Sequence, residues 1–427
     1  MSSWVEADRR HVWHPYTQMQ TAPPPLPIER AEGVYLHTMD GRRIVDGISS
    51  WWVNIHGHNH PRLNRALAAQ AEKMAQVIFA GLTHEPGALL AAELVARAPG
   101  DLPRVFYSDD GSTAVEVALK MAYQSWRNRG ESGRTLFVAF DDAYHGDTFA
   151  TMAAGGTPAF HAQFSDLFFT VLRARTEVSA LRGTESPPLG DILAQHGDKV
   201  AAVIVEPMLQ AAGGMLVQTP AFLREVREET RRHGIPLIAD EVLTGFGRTG
   251  RLFACEHAPI APDLLCLSKA LTGGYLPLAV TLASEEIYRT FLSPDRGRTL
   301  FHGHSYTGNA LACAVARESL ALFEESDCLG RVARLAAIFA ERLAALATHR
   351  RVTATRALGG MAALELAPAS TGGYFDDVGP RVTAELLARG LLVRPLGNVL
   401  YVLPPYVLTD AEAHWMFDAI AEVVAAL

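Results

Sequence analysis

Short, wholly apolar runs alternate with amphipathic stretches through the middle of the chain. Val200–Val205, residues 236–239 and Leu264–Leu267 read as buried strands, and each leads into an ionisable group: Glu206, Asp240 and, after Ser268, Lys269. Residues 220–233, between the first two, carry helical periodicity. Strand, helix and strand therefore form a right-handed crossover in a parallel sheet. The alternation begins earlier. Residues 61–76, 86–97 and 114–130 are amphipathic, while 105–108 and Leu136–Phe140 read as strands. Residues 278–282 are expected to continue the sheet, and Pro236 and Pro277 mark strand starts. Further on, 308–324, 329–346 and 378–389 read as helices and Met361–Leu366 as a strand. Residues 391–395 and 399–403 are expected to pair around Gly397-Asn398, and a last helix closes the chain. Before Pro61 the pattern breaks into turn formers and aromatics, with a hairpin over 33–46 turning at Asp40-Gly41. The fold class is α/β. A large domain at 61–325, with a mainly parallel sheet flanked by helices, is joined by a smaller α+β domain built from 1–60 and 326–427.

The apolar fraction of 49% and charged fraction of 20% over 427 residues are those of an ordinary globular protein. A net charge of −8 with scattered lysines and arginines offers nothing to nucleic acid or an anionic membrane. Cys255, Cys266, Cys313 and Cys328 sit mostly in apolar surroundings without a C-x-x-C, which suits a reducing compartment. No uncharged apolar run reaches the roughly 18 residues of a membrane span, and the first ten residues lack a signal-peptide core. A cytoplasmic protein is expected.

A lysine at the tip of a buried strand is costly unless it does chemistry or finds a partner. Ligands of open α/β sheets sit outside the carboxyl ends of the strands, where Lys269 and Asp240 would meet. Such a pair suits pyridoxal 5′-phosphate: the amine forms a Schiff base with the aldehyde, and the carboxylate keeps the pyridine nitrogen protonated. Ser108-Asp109-Asp110-Gly111-Ser112-Thr113 leads from a strand into a helix whose free amides could hold the phosphate. An ordinary cap by Asp110 or Ser112 explains the same residues. Tyr144, after the strand ending at Phe140, suits stacking on the ring and equally suits closing the core. Trp51-Trp52 suits packing or cover for a cationic substrate. Arg394 suits a bidentate carboxylate or a surface ion pair. His56-Gly57-His58-Asn59-His60 has no second ligand motif at zinc spacing, so loop and capping roles are expected and no metal.

Val205-Glu206-Pro207, the run from Asp240-Glu241-Val242-Leu243 to Gly245-Phe246-Gly247-Arg248-Thr249-Gly250, and Ser268-Lys269-Ala270-Leu271-Thr272-Gly273-Gly274 together resemble the class III pyridoxal-phosphate aminotransferases, of fold type I. Within that family, Trp13-His14-Pro15-Tyr16-Thr17-Gln18-Met19, Ser49-Ser50-Trp51-Trp52, Tyr144-His145-Gly146-Asp147-Thr148, Phe253-Ala254-Cys255-Glu256-His257 and Arg394-Pro395-Leu396-Gly397 are similar to the branch that forms diaminopelargonate in biotin synthesis. The similarity spans nearly the whole chain. It implies Lys269 as the cofactor-bearing lysine and proton carrier, Asp240 at the pyridine nitrogen, Gly111 and Ser112 at the phosphate, and Tyr144 on the ring. It implies a homodimer in which Ser305 reaches the other subunit's phosphate. Arg394 would hold the keto substrate's carboxylate, and Tyr16, Trp51, Trp52 and Gly303 would line the pocket. Asp147 and Arg248 would support it, with Glu206 behind. The implied acceptor is 8-amino-7-oxononanoate. His14-Pro15-Tyr16 and the paired tryptophans favour S-adenosylmethionine as donor. The Gly303-His304-Ser305-Tyr306 form also occurs in lysine-using members, so lysine is the alternative. Leu243 stands where ornithine- and GABA-type relatives carry glutamine, which argues against those substrates. Another ω-amino acid aminotransferase, an aminomutase and a non-catalytic cofactor-binding regulator are the other readings.

Overall fold

The computed structural model describes residues 3–370 and 372–427. Its strands, in chain order, are β1 (Ile28–Glu32), β2 (Tyr35–Thr38), β3 (Arg43–Asp46), β4 (Arg104–Ser108), β5 (Leu136–Phe140), β6 (Val171–Ala174), β7 (Val200–Val205), β8 (Leu209–Gln210) and β9 (Leu216–Val217). They continue with β10 (Leu237–Asp240), β11 (Leu264–Leu267), β12 (Ala279–Ala283), β13 (Val352–Leu358), β14 (Met361–Leu366), β15 (Leu391–Leu392) and β16 (Val399–Val402).

The central sheet has the order β4-β12-β11-β10-β7-β5-β6. Every residue of β7, β10, β11 and β12 is buried. Such strands need both faces covered, and this one has a helix layer on each side. On one face Val115, Ala118 and Ala122 of the helix Gly111–Asn128 meet Ile204, Ile238 and Leu264. On the other, Leu223 and Val226 of the helix Pro220–Arg232 and Ala312 and Ala316 of the helix Ala310–Glu325 join the core of Val203, Leu237 and Leu265.

β7, β10 and β11 lie side by side and parallel, as their apolar runs predict. Residues 279–283 continue the sheet as expected, but not in the parallel direction. β12 runs antiparallel to both β11 and β4. The connection from β11 carries only the short turn Lys269–Thr272 and no crossover helix, so the chain returns beside the strand it left. Two antiparallel pairings in succession restore the direction of β4. Its loop from Ser108 therefore opens at the same edge as the carboxyl ends of β5, β7, β10 and β11.

Three smaller sheets complete the architecture, one of them the antiparallel pair β8 and β9. β1, β2 and β3 form the expected hairpin and one strand more, and β15 adds to β3 in parallel, Leu391 opposite Val45. β13, β14 and β16 form an antiparallel sheet. The hairpin expected over 391–403 is thus corrected: β15 and β16 belong to different sheets, joined only by a bridge between Leu396 and Val399. The reason is tertiary. Leu391 and Leu400 are both buried in one core with Phe339, Val382 and Phe417, and each strand finds a longer-range partner there. No helix among the described residues is long and apolar enough to cross a membrane.

Candidate active site

At the shared edge of the central sheet lies a cavity of about 510 Å³ lined by Asp110, Gly111, Ser112, Tyr144, Asp240 and Lys269. A second cavity of about 500 Å³ adjoins it, walled by Tyr16, Trp51, Asp147, Phe160, Tyr374 and Arg394. Trp52, Tyr144 and Lys269 line both. The lysine amine therefore stands where the two spaces meet.

Lys269 carries its amine 5.3 Å from the centre of the Trp52 ring. Burial lowers its pKa below the ordinary lysine value, while the charges of Asp240 and Glu206 pull the other way. Asp240 ends β10 with one carboxylate oxygen 2.7 Å from His145 Nδ1. Its other oxygen accepts from the Val242 amide at 3.1 Å. An ionised carboxylate can only accept, so His145 carries its proton on Nδ1. Glu206 follows directly after β7. Burial first, then the charge of Asp240, raises its pKa well above the ordinary carboxylate value, against the amides of Tyr144 at 2.9 Å and Ala211 at 3.4 Å. The proximity of the Asp240 carboxylate thus adds to burial in disfavouring the charge on Glu206. Glu206 also pins the backbone of Tyr144.

The helix Gly111–Asn128 opens into the first cavity. Asp110 caps it, accepting from the Thr113 amide at 3.0 Å. The cap engages Thr113 and leaves the helix's first amides without intrahelical partners, so capping does not preclude an anion there. Two glycines are forced by close packing. A Cβ on Gly111 would stand 2.4 Å from Val242 Cγ1, and one on Gly146 would stand 2.2 Å from Ser112 Oγ.

In the second cavity Tyr16 Oη donates to the Asp147 carboxylate at 2.7 and 2.8 Å and lies 3.4 Å from Tyr144 Oη. His161 Nε2 is 3.3 Å from Asp147 Oδ1. Trp51 and Phe160 meet Tyr16 edge-on at 5.5 and 5.6 Å, and Tyr374 meets Phe160 at 4.6 Å. The Arg394 guanidinium lies 4.8 Å over the Trp51 ring and donates to the Tyr16 carbonyl at 3.3 Å. Trp52 points inward instead: its Nε1 donates to Tyr401 Oη at 3.0 Å, and only 5% of it is exposed against 37% for Trp51. A fixed cation and a fixed anion thus face one aromatic-walled space.

Three of the expected site residues, two for substrate and Ser305 for the cofactor, lie elsewhere. Arg248 is fully buried and lines neither cavity among the described residues. Its guanidinium donates to the carbonyls of Trp52, Asn54 and Pro404 at 3.1, 3.2 and 3.0 Å, so it props the wall from behind. Gly303 and Ser305 are exposed and line neither cavity of their own chain. The histidine run disperses to three different partners, His56 to Ser319, His58 to Asp46 and His60 to the Arg62 amide. His145, Phe160, His161 and Tyr374 had no assigned role in the sequence. Adjacency to Tyr144 was the one available signal for His145; Phe160 and His161 stand in the four-residue helix Pro158–His161 and Tyr374 in a turn, all too short for periodicity.

The pattern of the family Aminotransferase class-III matches residues 16–424. The chain belongs to the class III aminotransferases. Within the family it is 49% identical to the adenosylmethionine-8-amino-7-oxononanoate aminotransferase of Synechococcus elongatus, over 97% of this chain and 98% of that one. The like-named Geobacter sulfurreducens protein is 41% identical over 98% and 96%. Among solved structures, the adenosylmethionine-8-amino-7-oxononanoate aminotransferase of Methanocaldococcus jannaschii superposes with a TM-score of 0.94 at 36% identity, covering 99% of this chain and 98% of that one. An amine transaminase from an uncultivated Pseudomonas species, in its PLP-bound form, gives 0.89 at 33% identity over 97% and 98%. Pyridoxal 5′-phosphate fits the first cavity of this class III aminotransferase by shape and by donor set. A helix start flanked by two forced glycines lies at one end, and an oriented carboxylate and a lysine amine line the same space.

Proposed function

We propose that this aminotransferase uses pyridoxal 5′-phosphate to move an amino group from S-adenosylmethionine to 8-amino-7-oxononanoate, giving the 7,8-diamine of biotin synthesis. The observation that carries the reading is the pairing of Arg394 and Asp147 across an aromatic cavity that leads to Lys269. The keto acid carries a carboxylate for Arg394, each substrate carries a cationic group for Asp147, and relatives at 49% and 41% identity bear this activity in their names.

The cofactor, when bound, supplies an aldehyde to take up the amino group and a ring that stores an electron pair. Gly111 and Ser112 bind its phosphate at the helix start. Asp240, oriented by His145 and the Val242 amide, holds the proton on the ring nitrogen. Lys269 bears the cofactor and then carries the proton to and from the reacting carbon, a task favoured by its lowered pKa. Tyr144 covers the ring, fixed from behind by Glu206. Arg394 takes the carboxylate. Asp147, held by Tyr16, takes the cationic group against the faces of Trp51 and Phe160. The donor leaves as a ketone before the acceptor enters, so both use one site in turn. The enzyme acts as a cytoplasmic homodimer, in which Ser305 of each copy reaches the other's cofactor phosphate. Residues 61–325 form the cofactor-binding domain, and 1–60 with 326–427 form the smaller one.

Lysine is the second donor candidate, because its ammonium suits Asp147 and the aromatic walls equally. A single-turnover experiment separates the two. S-adenosylmethionine added without acceptor to the cofactor-loaded protein is expected to bleach the cofactor's visible absorbance, and lysine to leave it. The opposite result transfers the donor role to lysine, and bleaching by neither overturns the reading. Replacing Arg394 by alanine is expected to weaken the keto-acid half-reaction by roughly 2–3 kcal/mol, the worth of a charge-assisted contact to a carboxylate. Rates of the two half-reactions measured separately check this, and equal losses in both would count against a role for Arg394 specific to the keto acid.

A further inference from the structure

The turn Ser49–Trp52, between β3 and the cavity, holds four consecutive non-glycine residues in the left-handed region, with φ of 51°, 46°, 76° and 77°. Contact between Cβ and the following carbonyl disfavours each of them. Such a run persists only where its surroundings over-determine it, and strain of this kind gathers at ligand sites.

The main restraint is Asp46. Fully buried at the end of β3, it accepts from the Ile48 amide at 3.3 Å on one oxygen. On the other it accepts from Ser50 Oγ at 2.7 Å and pairs with His58 Nε2 at 2.9 Å. Burial opposes the charge on Asp46, but His58 and Ser50 outweigh it and hold the carboxyl below its usual range. Secondary ties run from Ser49 Oγ to the Leu403 carbonyl at 2.7 Å and from Arg248 to the carbonyl of Trp52 at 3.1 Å. His58 is itself fixed by backbone bonds with Gly33 in both directions, at 2.7 and 3.1 Å.

The conformation has a specific product. It turns Trp51 into the substrate cavity, under Arg394 and beside Tyr16, and turns Trp52 the other way, to Tyr401 and Lys269. A turn that relaxed toward ordinary backbone would carry Trp51 off the wall against which Arg394 is stacked. We propose that Asp46 and His58 are positioning residues that clamp this strained turn, and that the clamp selects for charged substrates by fixing the Trp51 wall under Arg394. The proposal rests on the second cavity being the substrate site, and it gives His58 a function, while His60 of the same run caps the helix Pro61–Lys73.

The test uses the full-length, cofactor-loaded protein with Asp46→Asn, His58→Gln, Ser50→Ala and Ser50→Gly. Asp46→Asn, His58→Gln and Ser50→Ala are expected to raise KM for the keto acid about tenfold while kcat stays within about twofold, the sign of lost binding common to ground and transition states. Their near-ultraviolet circular dichroism, measured without substrate, is expected to change in the indole region. Ser50→Gly loses the same hydroxyl but tolerates the left-handed backbone. It is therefore expected to recover most of the KM lost in Ser50→Ala. The clamp is refuted if Ser50→Gly is as impaired as Ser50→Ala, if kcat falls as far as KM rises, or if the indole signal is unchanged in Asp46→Asn. The indole readout needs no turnover. A wrong substrate assignment leaves that readout intact, so the two failures are distinguishable.

Discussion

Replacing Lys269 with alanine is expected to lower turnover by roughly five orders of magnitude, the scale seen when the group that both bonds covalently and moves the proton is removed. The variant should also release its cofactor on desalting, because the remaining contacts at Gly111, Ser112 and Asp240 are non-covalent. Retained turnover near the wild-type rate would sink the assignment of Lys269. A second consequence concerns stability. Burial lowers the pKa of Lys269 below its ordinary 10.5, so the folded state binds this proton less tightly than the unfolded state does. The deficit is full below the lowered folded pKa and vanishes as pH rises past the ordinary value. The cofactor-free alanine variant should therefore melt higher than the cofactor-free wild type at neutral pH, with the gap narrowing toward the lysine range. Equal melting temperatures at pH 7 would show that the amine carries no such penalty.

Asp240→Asn is expected to lower the rate of both half-reactions by roughly three orders of magnitude, because a neutral amide cannot stabilise the proton on the ring nitrogen. The change is nearly isosteric and leaves Lys269 in place. Cofactor should therefore stay attached, which sets this variant apart from the lysine one. Stopped-flow absorbance on the loaded protein reads both quantities. A loss under tenfold would mean that the ring nitrogen needs no charged partner here.

Much of this site was legible because its key residues follow apolar runs that admit one secondary structure. β7, β10 and β11 are buried on both faces, and a charge at the end of such a strand has few innocent explanations. The resemblance then supplied Tyr16 and Asp147, whose own surroundings announce nothing. The direction of β12 was not legible, since periodicity reports that a strand is buried and is silent on which way it runs. The pairing expected around Gly397-Asn398 failed for a related reason. A turn dipeptide between two apolar runs is a local signal, and here β3 and β14 compete successfully for those runs. β1, β6 and β13 went unread because each mixes charged or exposed positions into a short run. Arg248 looked like a ligand-binding group, and only the backbone around Trp52 and Pro404 reveals that its two terminal nitrogens are already engaged. The left-handed turn at Ser49–Trp52 is the least legible feature of all, because nothing in Ser-Ser-Trp-Trp favours φ above zero.

The pairing of β15 with β3 has a consequence for how the molecule is made. Leu391 lies opposite Val45, so an edge of the first sheet is completed by residues synthesised about 350 positions later. At roughly 5–20 residues per second, a ribosome leaves β3 without that neighbour for about twenty seconds to a minute. Through that interval an unpaired strand edge is open to any other nascent chain. The small sheet, rather than the slowly threaded central one, is thus where crowded or chaperone-poor synthesis should first divert this protein into aggregates.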